Sequence, residues 1–144
     1  MKEYVKILVA DDEAMMRNLL LKILESEGYQ VSVVSSANEA LEKLKAEKYD
    51  ILMTDVKMPG MSGFDLLKQV KVKWPETAVI IMTGYGDAYS VKEALLLGAD
   101  EYLSKPFKSQ EVFLIVERAY WRLLSARNMQ KQKSSQPATS EISK

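Results

Sequence analysis

A chain of 144 residues, 47% apolar and 28% charged, has the length and composition of one globular domain with a real core. It holds no cysteine and no histidine, which excludes disulfides, thiolate metal sites and an internal imidazole base. The net charge of zero divides unevenly, with 14 Lys/Arg against 19 Asp/Glu over residues 1–117 and 6 against 1 over residues 118–144.

No apolar stretch reaches the roughly 18 residues of a membrane span. Glu3 follows Lys2 too soon for a signal peptide, so a cytoplasmic protein is expected. Lys6–Ala10 reads as a short buried strand, and Ala14–Glu27 as a helix with Met15, Leu19, Leu20, Ile23 and Leu24 at helical spacing. Gly28 offers its left-handed cap. Gln30–Val34 is a second strand. Ser36-Ala37-Asn38-Glu39 forms a capping box before a helix whose apolar face carries Ala40, Leu41 and Leu44. Asp50–Thr54 is a third strand, and Met58–Gly63 a loop rich in Pro and Gly. Phe64–Trp74 is helical, with Leu67, Val70 and Trp74 on one face, and Pro75 ends it. Ala78–Met82, Ala88–Leu97 and Asp100–Ser104 add a strand, a helix closed by Gly98, and a last strand. Ser109 is expected to cap a long final helix. From Lys133 to Lys144 the chain turns to Ser, Gln, Pro and Thr, as in a disordered tail or linker.

Five strands alternating with five helices imply crossover connections, a parallel sheet and an α/β doubly wound (βα)5 three-layer sandwich. Such a sheet places its ligand at the carboxyl ends of its strands. Those ends carry Asp11-Asp12, Asp55, Thr83 and Lys105. Two unit charges 4 Å apart repel by about 4 kcal/mol at an effective dielectric of 20, so clustered carboxylates need something to offset them. Oxygen ligands without His or Cys suit Mg²⁺, held by two carboxylates and a backbone carbonyl after Asp55. N-capping alone would explain a lone Asp before the first helix, but not Asp11-Asp12 together with Asp55, Thr83 and Lys105. A carboxylate beside Mg²⁺, with a hydroxyl and an ammonium from neighbouring strands, can attack phosphorus.

The segments Val9-Ala10-Asp11-Asp12-Glu13, Thr54-Asp55-Val56-Lys57-Met58-Pro59-Gly60-Met61-Ser62-Gly63, Met82-Thr83-Gly84 and Lys105-Pro106-Phe107 stand in the order of a known signature. Over about residues 4–125 the chain resembles a receiver domain of a two-component response regulator. Residues 126–144 would form a helix extension and tail. The resemblance implies a flavodoxin-like sheet of order 2-1-3-4-5 and a phosphorylation-activated switch, not a turnover enzyme. It implies that Asp55 is the phosphoacceptor, that Asp12, Asp55 and the Lys57 carbonyl bind Mg²⁺ directly, and that Asp11 helps through water. Thr83 and Lys105 would contact the phosphoryl group, and Tyr102 would be the aromatic switch. The donor would be a sensor histidine kinase or phosphotransfer protein, since the chain has no histidine of its own. Lys57 and Tyr85 would overhang the phosphoryl group and affect its hydrolysis, with Gly84 leaving the approach open. The stretch Met82–Asp87 is similar to receivers that precede AAA+ transcription activators.

Val112, Phe113, Ile115, Val116, Ala119, Tyr120, Leu123 and Leu124 span about 180° of the last helix, more than the ~100° a core-facing stripe needs. Val112, Val116, Ala119 and Leu123 suffice for the sheet. Tyr120, Trp121 and Leu124 are then left for a second contact, such as a homodimer through the fourth helix, fifth strand and last helix. Neither nucleic-acid nor membrane binding is expected of this chain. An aspartate-nucleophile phosphatase or phosphotransferase is the alternative. Such enzymes usually place a second carboxylate two residues after the nucleophile, where this chain has Lys57. A flavin-binding fold would need a hydroxyl-rich phosphate loop after the first strand, where this chain has acids.

Overall fold

The computed structural model describes residues 4–84 and 87–135, without the side chains of Tyr89 and of residues 130–135. Its elements alternate throughout. They are β1 (Lys6–Ala10), α1 (Ala14–Ser26), β2 (Gln30–Val34), α2 (Ala37–Ala46), β3 (Ile51–Asp55), α3 (Gly63–Lys73), β4 (Ala78–Thr83), α4 (Ala88–Leu96), β5 (Glu101–Ser104) and α5 (Ser109–Ser135). The strands pair in parallel in the order β2-β1-β3-β4-β5. The sheet is doubly wound, as the alternation predicts.

The central strands are apolar on both faces because helices cover both. Leu8, Leu52, Val79 and Ile81 pack toward α2, α3 and α4 with Leu41, Leu44, Leu66, Leu67, Val70 and Ala94. Ile7, Val9, Ile51, Met53, Ile80 and Met82 pack toward α1 and α5 with Leu20, Ile23, Leu24, Val112, Val116 and Ala119. The four residues expected to seat the last helix, Val112, Val116, Ala119 and Leu123, are all buried.

Several expectations need correction. The apolar arc of α1 is wider than its buried face. Leu20, Ile23 and Leu24 are buried, whereas Met15 is 85% and Leu19 45% exposed, and Met16 takes the place beside the core. Trp74, half-buried at the end of α3, does pack against the same core as Leu67 and Val70, but the expected face omitted Leu66, which is fully buried there. Ser109 does not cap α5. The Lys108 carbonyl accepts the first helical bonds, and the Glu111 carboxylate accepts the Lys108 N–H at 2.9 Å, so the cap lies one residue earlier. The capping box of α2 forms with an added bond. Ser36 Oγ accepts the Glu39 N–H at 3.1 Å, and the Glu39 carboxylate takes the Ser35 N–H at 2.7 Å besides its bond to the Ser36 backbone. Helix α5 runs through Lys133 to Ser135, into the segment expected to be tail; the rest of that tail, and Tyr85, lie outside the described residues.

Side chains of α5 fasten it along the sheet. Arg118 and Arg122 both pair with the buried Glu101 of β5, at 3.2 and 2.8 Å. Arg127 pairs with Asp50 at 2.9 Å, beside the start of β3, while the other Asp50 oxygen accepts the Lys6 N–H at 2.9 Å. At the opposite pole, Gly63 lets α3 begin against the end of β3. Its N–H donates to the Val56 carbonyl at 2.8 Å, and a Cβ there would fall 2.0 Å from the Asp55 carbonyl oxygen.

Leu20→Ala is expected to cost about 2–5 kcal/mol in urea unfolding, against under about 0.5 kcal/mol for Met15→Ala in the same helix. Gly63→Ala must move the Asp55 backbone. Its expected signature is a shifted set of amide resonances for Asp55 and Val56, together with a loss of about 1–3 kcal/mol from overpacking.

Candidate functional site

The strand order reverses at β1, whose successors β2 and β3 lie on opposite sides of it. A crevice at the carboxyl ends of β1 and β3 is the site this topology favours. The loop after β1 delivers Asp11 and Asp12 there, and β3 ends on Asp55. Carboxylate oxygens of these three residues lie within 4.8 Å of one another. Asp11 is fully buried, Asp55 half-buried and Asp12 exposed.

Lys105 follows β5 directly, before a cis bond to Pro106. Its Nζ lies 3.1 Å from Asp11 Oδ2 and 3.0 Å from Asp55 Oδ2. Burial opposes the ammonium charge, but hydrogen bonds and charges from Asp55 and Asp11 outweigh it, so the pKa of Lys105 rises above the usual lysine value. The lysine therefore stays protonated and offsets part of the carboxylate repulsion.

Asp11 is committed on every side. Its N–H donates to the Val34 carbonyl at 3.2 Å, and its Oδ1 accepts the Glu13 N–H at 2.9 Å. Glu13 occupies the N-cap position of α1 and makes no side-chain cap bond. N-capping is therefore not what holds this pair of aspartates. Asp12 takes no hydrogen bond among the described residues, so its carboxylate is free to meet a ligand.

Thr83 ends β4 and is fully buried, yet its Oγ1 has no hydrogen-bond partner among the described residues. An unmet buried hydroxyl costs about 1–3 kcal/mol, and here it stands at the end of the strand beside β3. Thr83 pairs in register with Ser104, and Ile81 with Tyr102. Thr83 and Tyr102 thus share the α4 side of the sheet, one residue pair apart, with Tyr102 40% exposed.

Asp12, Asp55, Lys57, Gly84, Asp87 and Lys105 line an open cleft. A Cβ on Gly84 would meet nothing within 4 Å, so this side stays open. Asp87 caps α4, accepting the Ser90 N–H at 3.0 Å and the Ser90 hydroxyl. Hydrogen bonds from Ser90, then the charge of Lys57, lower its pKa. Three clustered carboxylates, with only oxygen donors, fit a hard divalent cation.

The structure gathers Asp11, Asp12, Asp55, Lys57 and Lys105, with Thr83 at the adjoining strand end. Several contributors had no sequence signal. Thr54 Oγ1 donates to the Asp55 carbonyl at 3.0 Å, and Arg17 donates to the Asp11 carbonyl at 2.8 Å. For Asp87 the cue was present, an Asp directly before the helix that begins at Ala88.

Comparison with known proteins agrees with this geometry. The model of the family "Response regulator receiver domain" matches residues 7–117. The chain is 39% identical over 111 residues to the DNA-binding transcriptional regulator NtrC of Klebsiella pneumoniae, covering 77% of this chain and 24% of that protein. It is 38% identical over 107 residues to sporulation initiation phosphotransferase F of Bacillus subtilis (strain 168), covering 74% and 86%. Among solved structures, a response regulator receiver domain protein from Clostridium thermocellum superposes with a TM-score of 0.77 at 38% identity, covering 82% of this chain and 95% of that one. The chain thus spans about a quarter of the length of one relative and most of the other. A family match over 111 consecutive residues, on a parallel sheet of order 2-1-3-4-5, means that the chain belongs to the response regulator receiver domains of two-component signalling.

Proposed function

We propose that the chain is a phosphorylation-activated switch in which Asp55 takes a phosphoryl group from a partner's phosphohistidine. The observation that carries this reading is the setting of Asp55. Its carboxylate opens on the cleft, pairs with Lys105 at 3.0 Å and lies within 4.8 Å of Asp11 and Asp12.

The cation proposed for this site is Mg²⁺, which Asp12, Asp55 and the Lys57 carbonyl would hold, with Asp11 helping through water. When bound, it supplies Lewis-acid neutralisation of the phosphoryl oxygens. The protein's own groups do the rest. An Asp55 carboxylate oxygen attacks phosphorus, the donor N–P bond breaks as the O–P bond forms, and the imidazole leaves. Lys105 moves from the two carboxylates toward a phosphoryl oxygen and keeps its proton. Thr83 Oγ1, which has no partner among the described residues, donates to another phosphoryl oxygen.

That last contact is the switch. Thr83 shifts toward the phosphoryl group, and Tyr102, exposed on the same side of the sheet, turns into the space it leaves. The face formed by α4, β5 and α5 changes with it. Moving a population from 1:99 to 99:1 takes about 5.5 kcal/mol of preference for one state. Charge-assisted hydrogen bonds contribute about 1.5–3 kcal/mol each, so the two new bonds from Thr83 and Lys105 to the phosphoryl group together contribute about 3–6 kcal/mol, the size required.

The changed face carries its own reading. Leu95 and Leu96 of α4, Tyr102 of β5, and Leu114 and Trp121 of α5 are exposed apolar groups around it. A homodimer through this face and the last helix is the assigned output contact. Control of transcription is the assigned role where the receiver belongs to a longer chain. The aspartate-nucleophile enzyme is disfavoured, since the cleft offers Lys57 where that chemistry needs a second carboxylate.

Intact mass after incubation with acetyl phosphate and Mg²⁺ should show one added phosphoryl group on the wild type and none on Asp55→Asn. A gain on Asp55→Asn at the same site would sink the assignment. Thr83→Ala should still accept phosphate while losing its effect. In sedimentation velocity, phosphorylation should shift the wild type toward dimer and leave Thr83→Ala unmoved. A wild type that stays monomeric in both states would overturn the dimer.

A further inference from the structure

The Asp11–Asp12 peptide is held from outside the acidic cluster. Arg17, four residues beyond the N-cap of α1, turns back so that its NH1 donates to the Asp11 carbonyl at 2.8 Å. The half-buried arginine is itself fixed, because its own N–H donates to the Glu13 carbonyl at 3.0 Å within the helix. Asp11 needs little help, since its N–H and side-chain oxygens are already bonded to Val34, Glu13 and Lys105. Asp12 is different. Its exposed carboxylate takes no hydrogen bond among the described residues, so its position rests on its backbone alone. The peptide that Arg17 grips is the one that aims it.

We propose that Arg17 is a positioning residue for the cation site: it fixes the Asp11–Asp12 peptide and so preorganises the Asp12 carboxylate. This rests on the assignment of the cluster as a cation site. At the other ligand a different peptide is held: Thr54 Oγ1 bonds the carbonyl of Asp55 itself. Both ligand-bearing loops thus have a backbone carbonyl taken by a neighbouring side chain. Groups that orient metal ligands in this way typically affect affinity tenfold or more.

Arg17 has two effects of opposite sign, and this makes the proposal sharp. As a nearby cation it repels Mg²⁺, so removing its charge alone would tighten binding. As the grip on the peptide it favours binding, so removing it loosens the site. The positioning effect is the larger.

The test is titration of MgCl₂ by calorimetry into the full chain, well below the unfolding temperature of each variant, with amide hydrogen exchange measured without metal. Arg17→Met should weaken Mg²⁺ binding about tenfold. It should also speed exchange at Glu13, whose N–H is bonded to Asp11 Oδ1, and not in the central strands. Arg17→Lys, which can still donate to the carbonyl, should recover affinity to within about twofold. Equal or tighter binding by Arg17→Met would overturn the proposal, as would a loss that Lys fails to recover. If the wild type bound no Mg²⁺, or Asp55→Asn bound it undiminished, the cation-site reading would fall and this assignment with it. Wild-type binding lost in Asp55→Asn but unchanged in Arg17→Met would sink the role of Arg17 alone.

Discussion

Like-charge repulsion among Asp11, Asp12 and Asp55 is the constraint around which this domain is arranged. Three carboxylates within 4.8 Å need an offsetting charge, and Lys105 supplies it to two of them, Asp11 and Asp55. Its ammonium must cross from the end of β5, over β4 and β3, to reach Asp11 beyond β1. The crossing works only because the sheet is parallel and all these strands end at one pole. A slip of one residue in any strand would turn its last side chain to the other face and empty its place in the cluster.

That demand explains why the middle of the sheet is so apolar. β1, β3 and β4 are buried on both faces, so their register is fixed by two cores at once. The edge strands are looser. β2 is only half-buried along most of its length, and β5 alternates buried and exposed residues. Rigidity is concentrated in the strands that carry the carboxylates. The freedom to move lies with β5 and Tyr102, on the edge that faces α4 and α5.

Much of this could be read from the chain. Runs such as Ile7–Ala10 and Val79–Met82 announce buried parallel strands, and their polar successors announce the site, because topology converts strand ends into neighbours. What could not be read has a common physical cause. Arg17 and Thr54 act through single bonds to backbone carbonyls, which leave no periodic trace. Met15 and Leu19 belong to an apolar arc wider than the surface available to bury it, and composition cannot say which side of the arc loses. Ser109 was the better capping residue, yet the chain placed the cap at Lys108, where Glu111 could reach back.

The arginines of α5 give the last helix a mechanical character. Arg118 and Arg122 join it to Glu101, immediately before Tyr102, and Arg127 joins it to Asp50 at the pole opposite the acidic cluster. A helix of 27 residues is about 40 Å long. It is therefore a beam bolted at two points, with one bolt in the strand that carries Tyr102 and a free length past the other. The free length past Arg127 is about 12 Å, close to the spacing between the two bolts, so a turn about the far bolt carries an adjustment beside Glu101 to the end of the helix at about its own size and in the opposite direction.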